Sequence, residues 1–217
     1  MHPSFNDLKN VDLRLPASDE ALMPVPNSHP ALKSTQIEAG HYGNTVHIRE
    51  GVAKRLLKAA DLLQQHREGW ILDVISGYRS LEGQSKLYAD QLSRLRQAFP
   101  DRDESALVEC CHKYIAHPQV AGHPTGGAVD VRIVHRASGE PLDFGSEVWD
   151  FSEKSHFDHP QISYEAYLNR NILRSVMLLS GFVPFAPEWW HFSYGDREWA
   201  FWKNQSSLYE PVPDALV

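Results

Sequence analysis

Gly122-His123-Pro124-Thr125-Gly126-Gly127-Ala128-Val129-Asp130-Val131-Arg132-Ile133-Val134 is a turn that runs into a strand. From Ala128 to Val134 the residues alternate, with Val129, Val131 and Ile133 on one face and Asp130 and Arg132 on the other, the period of two that a half-buried strand requires. Asp130 therefore points away from the valines. His123 and Asp130 are seven residues apart, which puts them on opposite faces of one unbroken strand. Gly126-Gly127 lets the chain bend between them, so that both side chains can reach one pocket.

Working outward, Trp70-Ile71-Leu72-Asp73-Val74-Ile75 is a short β-rich apolar run ended by Ser76-Gly77. It reads as a buried strand leading into a turn at Tyr78-Arg79-Ser80. Before it, Val52, Leu56, Leu57, Ala60 and Leu63 fall on one helical face between Ile48 and Arg67, and Gly69 supplies a stop. After it, a helix is expected over Leu81–Phe99, ended by Pro100, and another over Asp103–Ala116. Downstream of the central strand come a turn at Ser138-Gly139-Glu140-Pro141 and an irregular loop from Asp143 to His159. Ser163–Ser180 is then a helix with Leu168, Ile172, Val176 and Leu179 inward and Gly181 as its cap. Glu188–Tyr194 reads as a last strand. Residues 1–45, rich in Pro, Asn, Ser and His, read as an extended arm over a single folded domain of residues 46–217. The order of elements predicts an α+β fold with a small antiparallel sheet flanked by helices.

The 217 residues suit one domain with elaborations, and 42% hydrophobic with 23% charged residues is ordinary globular usage. A net charge of −7 with no basic cluster disfavours nucleic-acid binding. The longest apolar stretch, around Val176–Ala186, falls short of the ~20 residues needed to span a bilayer, so no membrane association is expected. No basic start, apolar run or cleavage site marks a signal peptide, which makes a cytoplasmic location the default. Cys110 and Cys111 are neighbours, unable to staple distant segments, and that suits a reducing compartment.

Two clusters can carry chemistry. His123 and Asp130 form the first; Glu188-Trp189-Trp190-His191, a carboxylate three residues before an imidazole, forms the second. Two His and one Asp make a three-ligand metal set with one position left for water, and Glu188 is then free to act as a base. Each part alone has a plainer reading: a hydrogen-bonded His beside a Gly-rich turn, or a rim carboxylate beside a packed aromatic pair.

Ser76-Gly77-Tyr78-Arg79, then Gly122-His123 through Asp130, then Glu188-Trp189-Trp190-His191, in this order and at these separations, resemble the zinc D-alanyl-D-alanine dipeptidases of the VanX type. Asn169-Arg170, Leu173-Arg174-Ser175-Val176-Met177 and Ser180-Gly181-Phe182 are similar to that family's helix before its final motif. Asp150-Phe151 with Ser155-His156 is similar to its substrate loop. The resemblance covers roughly residues 45–200 and makes 46–217 a zinc D,D-dipeptidase catalytic domain.

The resemblance implies one Zn²⁺ per chain held by His123, Asp130 and His191, with Glu188 as the general base. It implies that Arg79 stabilises the tetrahedral oxyanion, a role suited to a permanently charged guanidinium. Asp150 matches the position that receives the ammonium of a free dipeptide, and Tyr42 corresponds to a tyrosine at the substrate-carboxylate end. The partner implied is a small dipeptide, D-Ala-D-Ala or a close relative, from peptidoglycan precursor or turnover metabolism; the oligomeric state is left open. Two positions depart from the family: where it commonly has Ser two residues before the first His, this chain has Ala121, which cannot donate a hydroxyl to the substrate, and where it often reads Asp-Gly-Tyr-Arg, this chain has Ser76-Gly77-Tyr78-Arg79, a form closer to the related D,D-carboxypeptidases. That shifts the expectation for substrate identity, while the metal set shows no departure.

Three other readings compete. A D,D-carboxypeptidase or endopeptidase acting on longer wall peptides shares the metal set but needs an open cleft. A two-His-one-carboxylate iron oxygenase uses the same ligands, yet its first His and carboxylate usually lie two apart and it gives Glu188 no task. A zinc site that binds without turnover has no use for Glu188 and Arg79 together.

Overall fold

The computed structural model describes residues 3–35 and 45–213. In chain order the elements are α1 (Phe5–Lys9), β1 (Leu22–Pro24), β2 (Leu32–Ser34), β3 (His47–Arg49), α2 (Glu50–His66), β4 (Trp70–Ser76), α3 (Leu81–Ala98) and α4 (Glu104–His112). A 3-10 turn at His123–Thr125, β5 (Ala128–His135), a second 3-10 turn at Glu153–Ser155, α5 (Tyr164–Leu179), β6 (Val183–Pro184), β7 (His191–Ser193) and α6 (Arg197–Lys203) follow. The main sheet has the order β2-β4-β5-β7-β6, and β1 pairs with β3 in a separate ribbon. The expected α+β architecture is therefore present. Its sheet is antiparallel throughout except at one edge, where β2 joins β4 in parallel.

The valine face of β5 behaves as its alternation requires: Val129, Val131 and Ile133 are wholly buried and pack into one core with Val52, Leu56, Ala60 and Leu63 of α2. A smaller core lies between α3 and α4, where Tyr88, Leu92, Leu95, Leu107 and Cys111 meet. The α3 cap is Ser80, whose side chain accepts from the Gly83 N–H at 3.0 Å. Among the described residues no helix is long and apolar enough to cross a membrane.

Three sequence expectations change. The α4 helix stops at His112, four residues before Ala116. The strand expected from Glu188 shrinks to His191–Ser193, because Glu188 N donates to Phe185 O and His191 N to Glu188 O, closing a turn ahead of it. In α5 the inward residues are Ala166, Asn169, Arg170, Leu173, Val176 and Met177, whereas Leu168 and Leu179 face solvent, 41% and 64% exposed.

The reason for the last shift is Arg170. Fully buried, it donates through Nε to Phe144 O (2.7 Å), through Nη1 to His156 O (2.6 Å) and through Nη2 to Lys154 O (2.7 Å). One guanidinium thus binds three carbonyls of the 143–159 loop, of which His156 O also accepts from the His159 N–H at 3.1 Å. Burial lowers its pKa to about 10, still well above neutrality. Arg170→Met, which keeps much of the volume and none of the donors, is expected to cost ~3–5 kcal/mol in urea unfolding. A loss under ~1 kcal/mol would show that the loop is held by other means.

Candidate metal centre

Three structural devices bring His123, Asp130 and His191 together. Strand register supplies the first: Asp130 on β5 lies directly opposite His191 on β7, so the two side chains rise from adjacent positions on one face of the sheet. His191 Nδ1 is 2.9 Å from Asp130 Oδ1. The second is the bend before β5. His123 starts a 3-10 turn whose cap, Gly126, has φ +71°, a left-handed conformation that glycine adopts without a Cβ penalty. The third is the end of β4. Gly77 O accepts from His123 Nδ1 at 2.6 Å, so that Nε2 is the nitrogen facing Asp130 Oδ1, 3.5 Å away. Only glycine fits at Gly77, since a Cβ there would stand 2.5 Å from the His47 carbonyl oxygen.

The donor atoms of the three residues all lie within 4.8 Å of one another. Tetrahedral zinc with bonds of about 2.0–2.1 Å separates its N and O ligands by about 3.3 Å. The two distances to Asp130 Oδ1, 2.9 and 3.5 Å, straddle that value. Asp130 Oδ2 is occupied by the indole N–H of Trp149 at 3.1 Å, which leaves Oδ1 to face the imidazoles. Two imidazole nitrogens and one carboxylate oxygen, with His123 Nδ1 held by Gly77 and Asp130 Oδ2 by Trp149, fit a zinc ion.

The charges agree with such a cation. Burial works against ionisation of Asp130, but the facing His123 and His191 hold its carboxyl well below the usual carboxylate range. For His191 burial again opposes the charge; the hydrogen bond and attraction of Asp130 outweigh it and raise the imidazole to about 9. The site thus favours one positive charge between these groups.

Glu188 stands beside them, its Oε2 4.0 Å from His191 Nδ1. Only 9% exposed, it is pushed up to about 8, chiefly by burial, with His191 pulling the other way. A dication on the three ligands would favour the ionised form, the one that accepts a proton. The turn from Phe185 to His191 fixes its place. Trp189 anchors that turn by stacking on Phe144 with ring centroids 4.1 Å apart and by donating its indole N–H to Ser146 Oγ at 3.0 Å.

Arg79, Asp130, Glu188 and His191 line one cavity of about 250 Å³ together with His123. Arg79 follows Gly77 at the end of β4, and its Nη1 donates to Gln84 Oε1 at 2.9 Å. Gln84 in turn donates to Ala116 O at 2.8 Å and is 2% exposed. Sequence reasoning passed over Gln84 and Trp149. Gln84 did leave a trace, a polar residue at the head of the inward series Tyr88, Leu92, Leu95; Trp149, which holds φ +59°, left none.

Asp150 lies between Trp149 and Phe151, which both line the cavity, but its own Oδ1 accepts from the Ser152 N–H at 2.9 Å. Ala121 lines the cavity as well. Tyr42 lies outside the described residues.

The sequence profile of the peptidase family described as D-ala-D-ala dipeptidase matches residues 37–210. A D-alanyl-D-alanine dipeptidase of Synechocystis sp. is 27% identical over 194 residues, covering 78% of this chain and 78% of that protein. One of Enterococcus faecium is 28% identical over 151 residues, covering 67% of this chain and 72% of its own. Among solved structures, VanYB in complex with D-alanine-D-alanine is similar at 17% identity and a TM-score of 0.43, covering 84% of this chain and 89% of that one.

Proposed function

This chain belongs to the D-Ala-D-Ala dipeptidase family of zinc peptidases, and we propose that it hydrolyses the peptide bond of free D-Ala-D-Ala or a similar dipeptide. The observation that carries the reading is the meeting of His123, Asp130 and His191 in one cavity with Glu188 and Arg79. Zinc on these three residues supplies Lewis acidity, lowering the pKa of water towards neutrality and polarising a carbonyl.

Glu188 takes the proton of the attacking water on a carboxylate oxygen and returns it to the leaving nitrogen as the C–N bond breaks. The buried turn that holds it excludes competing solvent. Arg79, braced by Gln84, places a fixed positive charge where the carbonyl oxygen becomes an oxyanion. Trp149 keeps Asp130 in one orientation, and Asp150, between the cavity-lining Trp149 and Phe151, is the carboxylate proposed to turn to the substrate ammonium. A reducing, cytoplasmic setting suits a chain whose two cysteines, Cys110 and Cys111, are neighbours that cannot staple distant segments.

The alternative, a D,D-carboxypeptidase acting on longer peptides, draws on one observation: the Asp150 carboxylate is engaged by Ser152 and is not among the cavity-lining groups. Amine release from free D-Ala-D-Ala beside N-acetyl-D-Ala-D-Ala decides between them. The free dipeptide is expected to be cut ~10-fold or more faster, because a hydrogen bond between the half-buried Asp150 carboxylate and the ammonium contributes ~1.5–3 kcal/mol. Equal or faster cleavage of the acylated peptide would transfer the assignment to a carboxypeptidase.

A further inference from the structure

The cavity is larger than the dipeptide just proposed, and part of its wall is apolar. Alanyl-alanine has about eleven heavy atoms; at ~10–15 Å³ of probe-sized space each, they fill roughly half to two-thirds of it. The cavity measures about 250 Å³. Leu87 of α3, Ile115, Val120, Ala121 and Leu8 of α1 supply apolar wall to the same cavity that holds the metal ligands.

Leu8 comes from a segment outside the family match, which begins at residue 37. It is held as firmly as a core residue, with 2% exposure. Arg197 Nη1 donates to the carbonyls of Leu8 (3.2 Å), Lys9 (3.3 Å) and Val11 (2.7 Å), tying the end of α1 to α6. At its other end Ser4 and Asp7 form a capping box, Phe5 N donates to Glu109 Oε2 at 3.3 Å, and the Phe5 ring lies 4.5 Å from that of His117. A five-residue helix has little stability of its own, so these contacts define a wall in place of a loose arm.

We propose that α1 is part of the substrate site and that Leu8, with Leu87, Ile115, Val120 and Ala121, forms an apolar pole that receives a dipeptide side chain larger than methyl. The inference rests on the dipeptide reading above and names its substrate class: free dipeptides with a branched or long aliphatic side chain on one residue. Apolar walls reward each added methylene, while a methyl group leaves the pole to water.

Binding and turnover are to be measured separately on the zinc-loaded full chain. Calorimetric titration of the Glu188→Gln protein with D-Ala-D-Ala, D-Ala-D-Leu and D-Leu-D-Ala reads the pole without turnover. One leucyl dipeptide is expected to bind at least ~10-fold tighter than D-Ala-D-Ala. Leu8→Trp in the same background, filling the pole, is expected to reduce that ratio at least tenfold; Val120→Phe serves if Leu8→Trp does not fold. Tighter binding of D-Ala-D-Ala than of both leucyl dipeptides, or a ratio unmoved in a folded pole-filling variant, overturns the proposal. Turnover of the three dipeptides by the wild-type protein tests hydrolysis by itself. Absence of any cleavage there sinks the dipeptidase reading, whereas preferential D-Ala-D-Ala binding with intact cleavage sinks only the apolar pole.

Discussion

Glu188→Gln is expected to keep one zinc per chain and to lower kcat by a factor on the order of 10²–10⁴, the usual share of general acid–base catalysis. The amide has nearly the shape of the carboxylate, so the turn from Phe185 to His191 and the neighbouring Trp189 stack stay in place. What it lacks is an oxygen able to hold a proton between attack and departure of the leaving amine. Because Glu188 is almost fully buried, no solvent carboxylate can stand in for it. Single-turnover kinetics beside metal analysis of the same sample separate the two effects. Unchanged turnover would refute the role, and loss of zinc would make Glu188 a ligand.

His123→Ala is expected to abolish stoichiometric zinc, with affinity falling by more than ~100-fold, since disturbing even an outer partner of a metal ligand commonly costs 10–100-fold. The two remaining ligands, Asp130 and His191, stand 2.9 Å apart on paired strands and cannot surround an ion. The fold should survive, because β5 keeps its pairing with β4 and β7 and its valine face in the core. Zinc content after dialysis against a weak chelator, with circular dichroism as the check on folding, makes the test. Full retention of zinc would mean that the ligand set is wrong.

The parts of this site that could be read from residues alone are those governed by local rules. Alternation over Ala128–Val134 placed Asp130 opposite the valines because a strand turns successive side chains to opposite faces. Gly126-Gly127 announced the bend, and Gly126 does take a positive φ. The inward face of α5 escaped the same logic. Leu168 and Leu179 have the apolar character and Arg170 has not, yet Arg170 is the buried one, because the 143–159 loop brings three carbonyls to it. Periodicity counts side chains and has no knowledge of carbonyls waiting across a gap.

By itself the sequence determined the kinds of donors, their order along the chain, the turn before β5 and the helices and strands that carry them, since sterics and periodicity act over a few residues. Tertiary structure alone decided that they meet. His191 finds Asp130 across 61 residues through strand register, and His123 finds Gly77 across 46 through the end of β4. It also decided that Gln84 braces Arg79, that Trp149 turns Asp130, and that Leu8 reaches the cavity from the far end of the chain. Such contacts depend on which surfaces pack together, a choice made by the burial of the whole core and written in no single stretch of residues.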